Sequence, residues 1–186
     1  IPHFVSFSDP VAGVYHPFAP VPPPIPPSRV VFVSSIAGTG ISSINNECLW
    51  QYTSSGAKQC LAREGDAAPG TTGVQYSHFI SINTVDADSP NVLFTASLKG
   101  RGVSTGNNVA LFSIDPRWGT FLLLRKGQPV LVGTALRVVK SFSALALVPD
   151  SPGQQRQQDG VIFGAMPVRV AFTDGSSAIL RISTTY

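Results

Sequence analysis

The sequence predicts an all-β chain made of repeated four-stranded antiparallel units, β-propeller-like in kind, with a β-sandwich built from the same hairpins as the alternative. Three observations predict this. Short runs rich in Val, Ile, Leu and Phe recur along the 186 residues, each bounded by Gly, Pro, Asn, Asp or Ser. Separate blocks of sequence repeat at one common spacing. No segment carries a helical periodicity.

The spacing is read from three blocks. Val30-Val31-Phe32-Val33 is matched by Val92-Leu93-Phe94-Thr95, Cys48-Leu49-Trp50 by Ala110-Leu111-Phe112, and Leu61-Ala62-Arg63-Glu64-Gly65 by Leu123-Leu124-Arg125-Lys126-Gly127. Each pair lies 62 positions apart. A third, incomplete copy is read in Val161 to Met166 and Ala178-Ile179-Leu180. A fourth block, His78-Phe79-Ile80-Ser81-Ile82, resembles Ser141 to Leu145 and also His3-Phe4-Val5-Ser6-Phe7.

In order, the strands are expected as d (3–7), a (30–36), b (47–52), c (57–63), d (78–84), a (92–98), b (109–114), c (120–126), d (139–147), a (161–166) and b (177–183). Ser54-Ser55-Gly56 and Asp115 to Gly119 read as hairpin turns between b and c, with Pro and Gly supplying the turn geometry. Val21 to Pro27 is Pro-rich, so it reads as an extended connector without ladder donors. The organisation is an N-terminal strand and extension (1–20), the Pro-rich connector (21–28), repeat 1 (29–91), repeat 2 (92–160) and partial repeat 3 (161–186).

Composition narrows the function. Hydrophobic residues make up 43% of the chain, which argues against disorder, while charged residues make up only 12%. Ser, Thr, Asn and Gln then carry solubility, a balance common in extracellular β proteins. The formal net charge of +3 is scattered over Arg63, Lys99, Arg101, Arg117, Arg125, Lys126, Arg137 and Lys140 without interleaved aromatics, so no nucleic-acid partner is expected. No apolar run approaches the length of a membrane helix. The chain begins at Ile1, as expected of a fragment or of a chain whose leader has been removed, and nothing in it reads as a signal peptide.

Leu61-Ala62-Arg63-Glu64-Gly65-Asp66-Ala67-Ala68-Pro69-Gly70-Thr71, placed after a Leu-Trp strand and before an aromatic one, resembles the "REGDxAPGT" repeat of large secreted bacterial proteins with propeller-like domains of unknown function. The resemblance covers about residues 29–182. In the second repeat Arg125-Lys126-Gly127-Gln128-Pro129 stands in its place. The resemblance implies a propeller-like fold and an extracellular or cell-surface location, and it brings no catalytic residues.

The candidate chemistry is thin. Gly102-Val103-Ser104-Thr105-Gly106 fits the Gly-x-Ser-x-Gly pattern, but a strand rather than a helix is expected after it, which reads as an a–b loop. His3 and His78 hold one repeat position, which argues for a structural role, and no zinc spacing is present. Asp86, Asp88 and Asn91 place oxygen ligands as a calcium loop does, in a segment that also reads as a plain d-to-a turn. Arg63-Glu64-Gly65-Asp66 reads as a structural turn whose Arg lines a neighbouring loop. Trp50, Tyr52, Tyr76 and Trp118 offer stacking faces for a glycan, with Trp118 expected to be exposed in its turn. No cofactor is implied.

The expected function is a non-catalytic extracellular structural or self-assembling domain, with a glycan- or protein-binding module as the alternative. Cys48 and Cys60 lie about equally far from one hairpin turn, so they are expected to face each other as a cross-strand disulfide in an exported protein, or else to remain two small thiols. His3, Phe4, Val5, Ser6 and Phe7 form a strand with no a, b or c before it, and the last a and b have no c after them. Unpaired strands of this kind are sticky, so these residues are expected either to close the chain on itself or to add to a neighbouring copy, giving a homo-oligomer or filament. Other surface proteins are the remaining partner class.

Overall fold

The computed structural model describes residues 3–7, 11–12, 29–53, 56–84, 91–144 and 165–183. They form thirteen strands and no helix. The first sheet holds β1 (His3–Phe7), β2 (Val11–Ala12), β3 (Arg29–Ala37), β4 (Glu47–Thr53) and β5 (Lys58–Arg63). Its order is β1-β3-β4-β5, and β2 lies beside β1 on the same edge of β3. β6 (Val74–Thr84), β7 (Val92–Gly100), β8 (Val109–Asp115) and β9 (Gly119–Arg125) make the second sheet in chain order. β10 (Pro129–Val132), β11 (Ala135–Ala144), β12 (Ala165–Phe172) and β13 (Ser177–Ser183) make the third, also in chain order. Every pairing is antiparallel.

The expected all-β repeat is present, propeller-like in its sheet organisation. The hydrogen bonds repeat with the sequence. Ile36 N–H donates to Asn46 C=O at 2.7 Å, and Leu98 N–H to Asn108 C=O at 2.8 Å. The first two sheets, however, run d-a-b-c rather than a-b-c-d. The strand that ends each sequence repeat joins the next sheet, so β6 leaves repeat 1 to pair with β7 and β11 leaves repeat 2 to pair with β12. The chain between β5 and β6 turns back on itself to make the handover. Gly65 N–H donates to Tyr76 C=O at 2.9 Å, and Tyr76 N–H to Asp66 C=O at 3.0 Å. The next handover repeats it, with Gly127 N–H on Val139 C=O at 2.8 Å and Val139 N–H on Gln128 C=O at 2.9 Å. Gly65 and Gly127 both need positive φ here, at 88° and 80°.

The second sheet is covered on both faces. Val92, Phe94, Ala96, Leu98, Ala110, Phe112 and Ile114 share a core with Val31, Val33, Leu49 and Ala62 of the first sheet. Leu93, Leu111 and Leu124 point the other way, into a core with Met166, Val168, Val170 and Phe172 of the third. This is why β7 and β8 read as nearly continuous apolar runs instead of alternating. Tyr76, Phe79, Phe94 and Phe112 form an aromatic cluster within the first of these cores, with contacting ring centroids 5.2–5.7 Å apart.

Two expectations are corrected. The third a strand, expected at 161–166, is β12 at 165–172, and residues 161–164 lie outside the described residues. Leu98 N–H on Asn108 C=O corresponds to Phe172 N–H on Ser176 C=O, so Val168 and Leu180, not Phe163, stand where Phe94 and Phe112 stand. Among the described residues one face of this sheet is covered, and β12 alternates, with Arg169 on its outer side. Second, the third d strand is preceded by an unexpected partner: β10 and β11 form a hairpin around Gly133-Thr134. β1 pairs with β3 of its own chain, Phe4 opposite Ile36 and Phe7 opposite Ser34. Its side-chain environment and the Pro-rich segment lie outside the described residues.

Candidate functional site

One polar arrangement recurs with the repeat, where each of the first two a–b loops meets the end of strand c. In the first loop Asn45 Oδ1 accepts from Ser42 N–H at 2.7 Å, and Asn45 Nδ2 donates to Gly40 C=O at 3.2 Å. In the second loop Asn107 does the same with Ser104 N–H at 2.7 Å and Gly102 C=O at 3.0 Å. An Asn side chain folding onto its own backbone fixes a loop without secondary structure. Arg63 Nε then donates to Asn45 C=O at 2.8 Å, and Arg125 Nε to Asn107 C=O at 2.8 Å. The turn after each Arg is closed by a side chain, Asp66 Oδ2 on Arg63 N–H and Gln128 Oε1 on Arg125 N–H, both at 3.0 Å. Arg63 therefore lines a neighbouring loop, as the sequence implied. The sequence signal for the two Asn residues is the 62-residue spacing they share in Ser42 to Asn46 and Ser104 to Asn108.

The carboxylates of the first repeat tie it to the second sheet. Glu64 is 7% exposed and pairs with Lys99 Nζ at 3.0 Å, while the same ammonium donates to Ile44 C=O at 2.8 Å. Glu47 Oε2 accepts from Phe79 N–H at 2.6 Å and meets His78 Nδ1 at 2.9 Å. Val109 stands at the position of Glu47, and Lys126 at that of Glu64, so neither link recurs. At the far sheet Asp174 holds the β12–β13 turn, accepting from Ser176 Oγ at 2.6 Å and Ser176 N–H at 2.9 Å, with Arg137 also on the carboxylate. The Ser176 hydrogen bonds first, and then Arg137, hold the Asp174 carboxyl below its ordinary range.

Cys48 and Cys60 are brought together, but not as direct cross-strand partners. Cys48 lies opposite Arg63 and Cys60 opposite Trp50, because the hairpin register, with Tyr52 opposite Lys58, sets Cys60 two residues away from the place across from Cys48. The sulfurs still come within 3.1 Å on the diagonal, as free thiols. Cys48 is buried and Cys60 exposed. The hydrogen bond between them, followed by burial, pushes the Cys48 thiol far up, and the same hydrogen bond draws Cys60 down. Cys60 is therefore the sulfur that ionises first.

The remaining candidates do not converge. Ser104 Oγ accepts from Gly106 N–H at 3.3 Å inside a turn between two strands, not at a strand-to-helix elbow. Asp86 and Asp88 lie outside the described residues, and Asn91 is buried at the foot of β7. Among the described residues no three His, Cys, Asp or Glu side chains gather as a metal site, and no helix is long and apolar enough to cross a membrane. Tyr76 is core, packed on Phe79, Phe94 and Phe112, and burial pushes its phenol up. Trp50 is half-buried, Tyr52 is partly exposed, and Trp118 is 74% exposed in the β8–β9 turn. Asp115 Oδ1 holds that turn through the N–H groups of Arg117 (2.7 Å) and Trp118 (3.2 Å).

No curated protein and no solved structure matches this chain. The profile of DUF7453, a family of unknown function, matches residues 27–184. That span takes in all three sheets apart from β1 and β2, and the chain belongs to this family.

Proposed function

We propose that the chain is a non-catalytic structural domain of the extracellular or cell-surface kind that associates with further copies of itself, and that its Arg63-to-Thr71 segment is the "REGDxAPGT" repeat of secreted bacterial proteins. One observation carries the reading. The polar side chains that recur with the repeat, Asn45 with Arg63 and Asn107 with Arg125, hold loops and turns, and they do so in duplicate. A catalytic constellation needs one nucleophile or acid–base pair aimed at one open point. A device that recurs with the repeat and bonds to its own backbone supports a scaffold instead. Light scattering over a concentration series tests the association. A mass that rises with concentration supports it, and a monomer throughout overturns it.

The second reading, a glycan- or protein-binding module, is favoured by Trp118 alone. An indole 74% exposed on a turn fixed by Asp115 is a rigid apolar face in water. Quenching or a blue shift of Trp118 fluorescence on titration with oligosaccharides supports that reading, checked against Trp118→Ala. No change across neutral and acidic glycans counts against a sugar ligand.

A further inference from the structure

We infer that β13 is the association edge, and that it pairs antiparallel with β13 of a second copy across a two-fold axis at Leu180. The inference rests on the self-association proposed above and names its surface. In the first two sheets strand b is followed by a fourth strand, β5 or β9. Leu49 and Gln51 lie opposite Ala62 and Gln59, and Leu111 and Ser113 opposite Leu124 and Phe121. The corresponding residues of the third sheet are Ile179 and Arg181, and among the described residues β13 pairs with β12 alone. The phase of the ladder is fixed by Phe172 N–H donating to Ser176 C=O at 2.9 Å. In an antiparallel pair bonded and non-bonded positions alternate. Ala178, Leu180 and Ile182 therefore aim their backbone groups at β12, and Ile179 and Arg181 aim theirs outward. Exposed donors and acceptors in a row, with no proline and no bulge, are a template for strand addition.

The side chains select the partner and the register. On the core side, Ala178, Leu180 and Ile182 are half-buried at the margin of the cluster formed with Val168 and Val170. A two-fold axis at Leu180 puts Leu180 opposite its copy and Ala178 opposite Ile182 of the partner, so all three aliphatic side chains continue the core. On the outer side the same register puts Ile179 opposite Arg181 of the partner. Ile179 is 69% exposed, whereas Leu49 and Leu111 at its position in the other sheets are 0% exposed. The aliphatic stem of Arg181 would cover it. Sliding by one pair in one direction sets Arg181 against Arg181, which is repulsive, and in the other leaves Ile182 without an apolar partner. The contact is isologous, so it closes as a dimer and does not run on into a filament.

The test uses three measurements on the full chain. Sedimentation should show a dimer. The amides of Ile179 and Arg181 should exchange more slowly as concentration rises, while those of Leu180 and Ile182, already bonded to β12, should not respond. Leu180→Cys should form a symmetric intermolecular disulfide, because the residues at such an axis lie in a non-bonded pair whose Cα atoms are about 4.5 Å apart. Ile182→Cys should not. Ile179→Pro, which removes only an outward N–H, should abolish the dimer while leaving the melting transition cooperative. Association with unprotected Ile179 and Arg181 amides and no Leu180→Cys cross-link overturns this edge and leaves self-association standing. A monomer at every concentration overturns both.

Discussion

Oxidising the Cys48–Cys60 pair is the perturbation whose size is most directly set by the structure. The sulfurs lie 3.1 Å apart, on neighbouring strands joined by a short hairpin. The exposed Cys60, drawn down by its partner, supplies the thiolate that attacks an external disulfide oxidant. Cys48 then displaces the oxidant's sulfur, and the two thiols lose two protons and two electrons in all. The bond closes a loop from residue 48 to residue 60, which restricts the unfolded chain by about 3 kcal/mol on the loop-entropy relation. For a domain of this length each kcal/mol moves the melting temperature by about 2–4 °C, so reduction should lower it by roughly 6–12 °C. Protein made in an oxidising compartment should show no titratable thiol in denaturant without reductant. Cys60→Ser should melt with the reduced form and should not respond to reductant. Two titratable thiols in the oxidised preparation, or an oxidised form that melts no higher than the reduced one, would refute the reasoning.

Phe94→Ala should destabilise by about 3–5 kcal/mol, since Phe94 is fully buried among Tyr76, Phe79 and Phe112, and denaturant melts measure it. Asn107→Ala removes two loop hydrogen bonds and should cost about 1–2 kcal/mol, with a similar loss for Asn45→Ala at the equivalent place; equal stability to the parent chain would remove the duplicated loop from the argument. Asp174 should titrate below its ordinary value of 3.8, as read by its side-chain carboxyl carbon in NMR. The folded value is the depressed one, so its contribution is present above 3.8 and is lost as pH falls through the lower folded value. A midpoint at or above 3.8 contradicts the hydrogen bonds to Ser176.

The two middle repeats were legible because their residues answer to one environment. Val30 to Val33 and Val92 to Thr95 both lie in strand a, and the loops after them use the same Ser and Asn positions. The third copy is less legible for the converse reason. Val161 to Met166 has the continuous apolar look of β7, but β7 looks that way because sheets cover both its faces. β12 has a core on one side, so Met166, Val168, Val170 and Phe172 alternate with Pro167, Arg169 and Ala171. A one-sided strand does not resemble its two-sided counterparts residue by residue. The β10–β11 hairpin was legible in principle, since Gly133-Thr134 sits between Leu131-Val132 and Ala135-Leu136 as a two-residue connector does. The Glu64–Lys99 and Glu47–His78 links were not legible, because each joins residues far apart in sequence and occurs once.

The offset between sequence repeat and sheet bears on how such a chain holds together. If each sheet were one sequence repeat, neighbouring sheets would be joined by a single connector and their shared core. Here the end of each repeat hydrogen-bonds into the next sheet, so β6 is tied to Gly65 and Asp66 behind it and to β7 ahead. Glu47 reaches Phe79 N–H, and Glu64 reaches Lys99, across the same boundary. Separating the first sheet from the second would leave backbone groups of Tyr76 and the carboxylate of Glu64 without their partners as well as exposing Phe79. Buried groups of both kinds are costly to orphan. The sheets therefore cannot part without breaking polar links and the apolar core together, and that coupling makes a stack of few sheets a coherent body. An outer edge such as β13, which has no handover beyond it among the described residues, lacks that coupling, and the proposed second copy would add there without disturbing any other link.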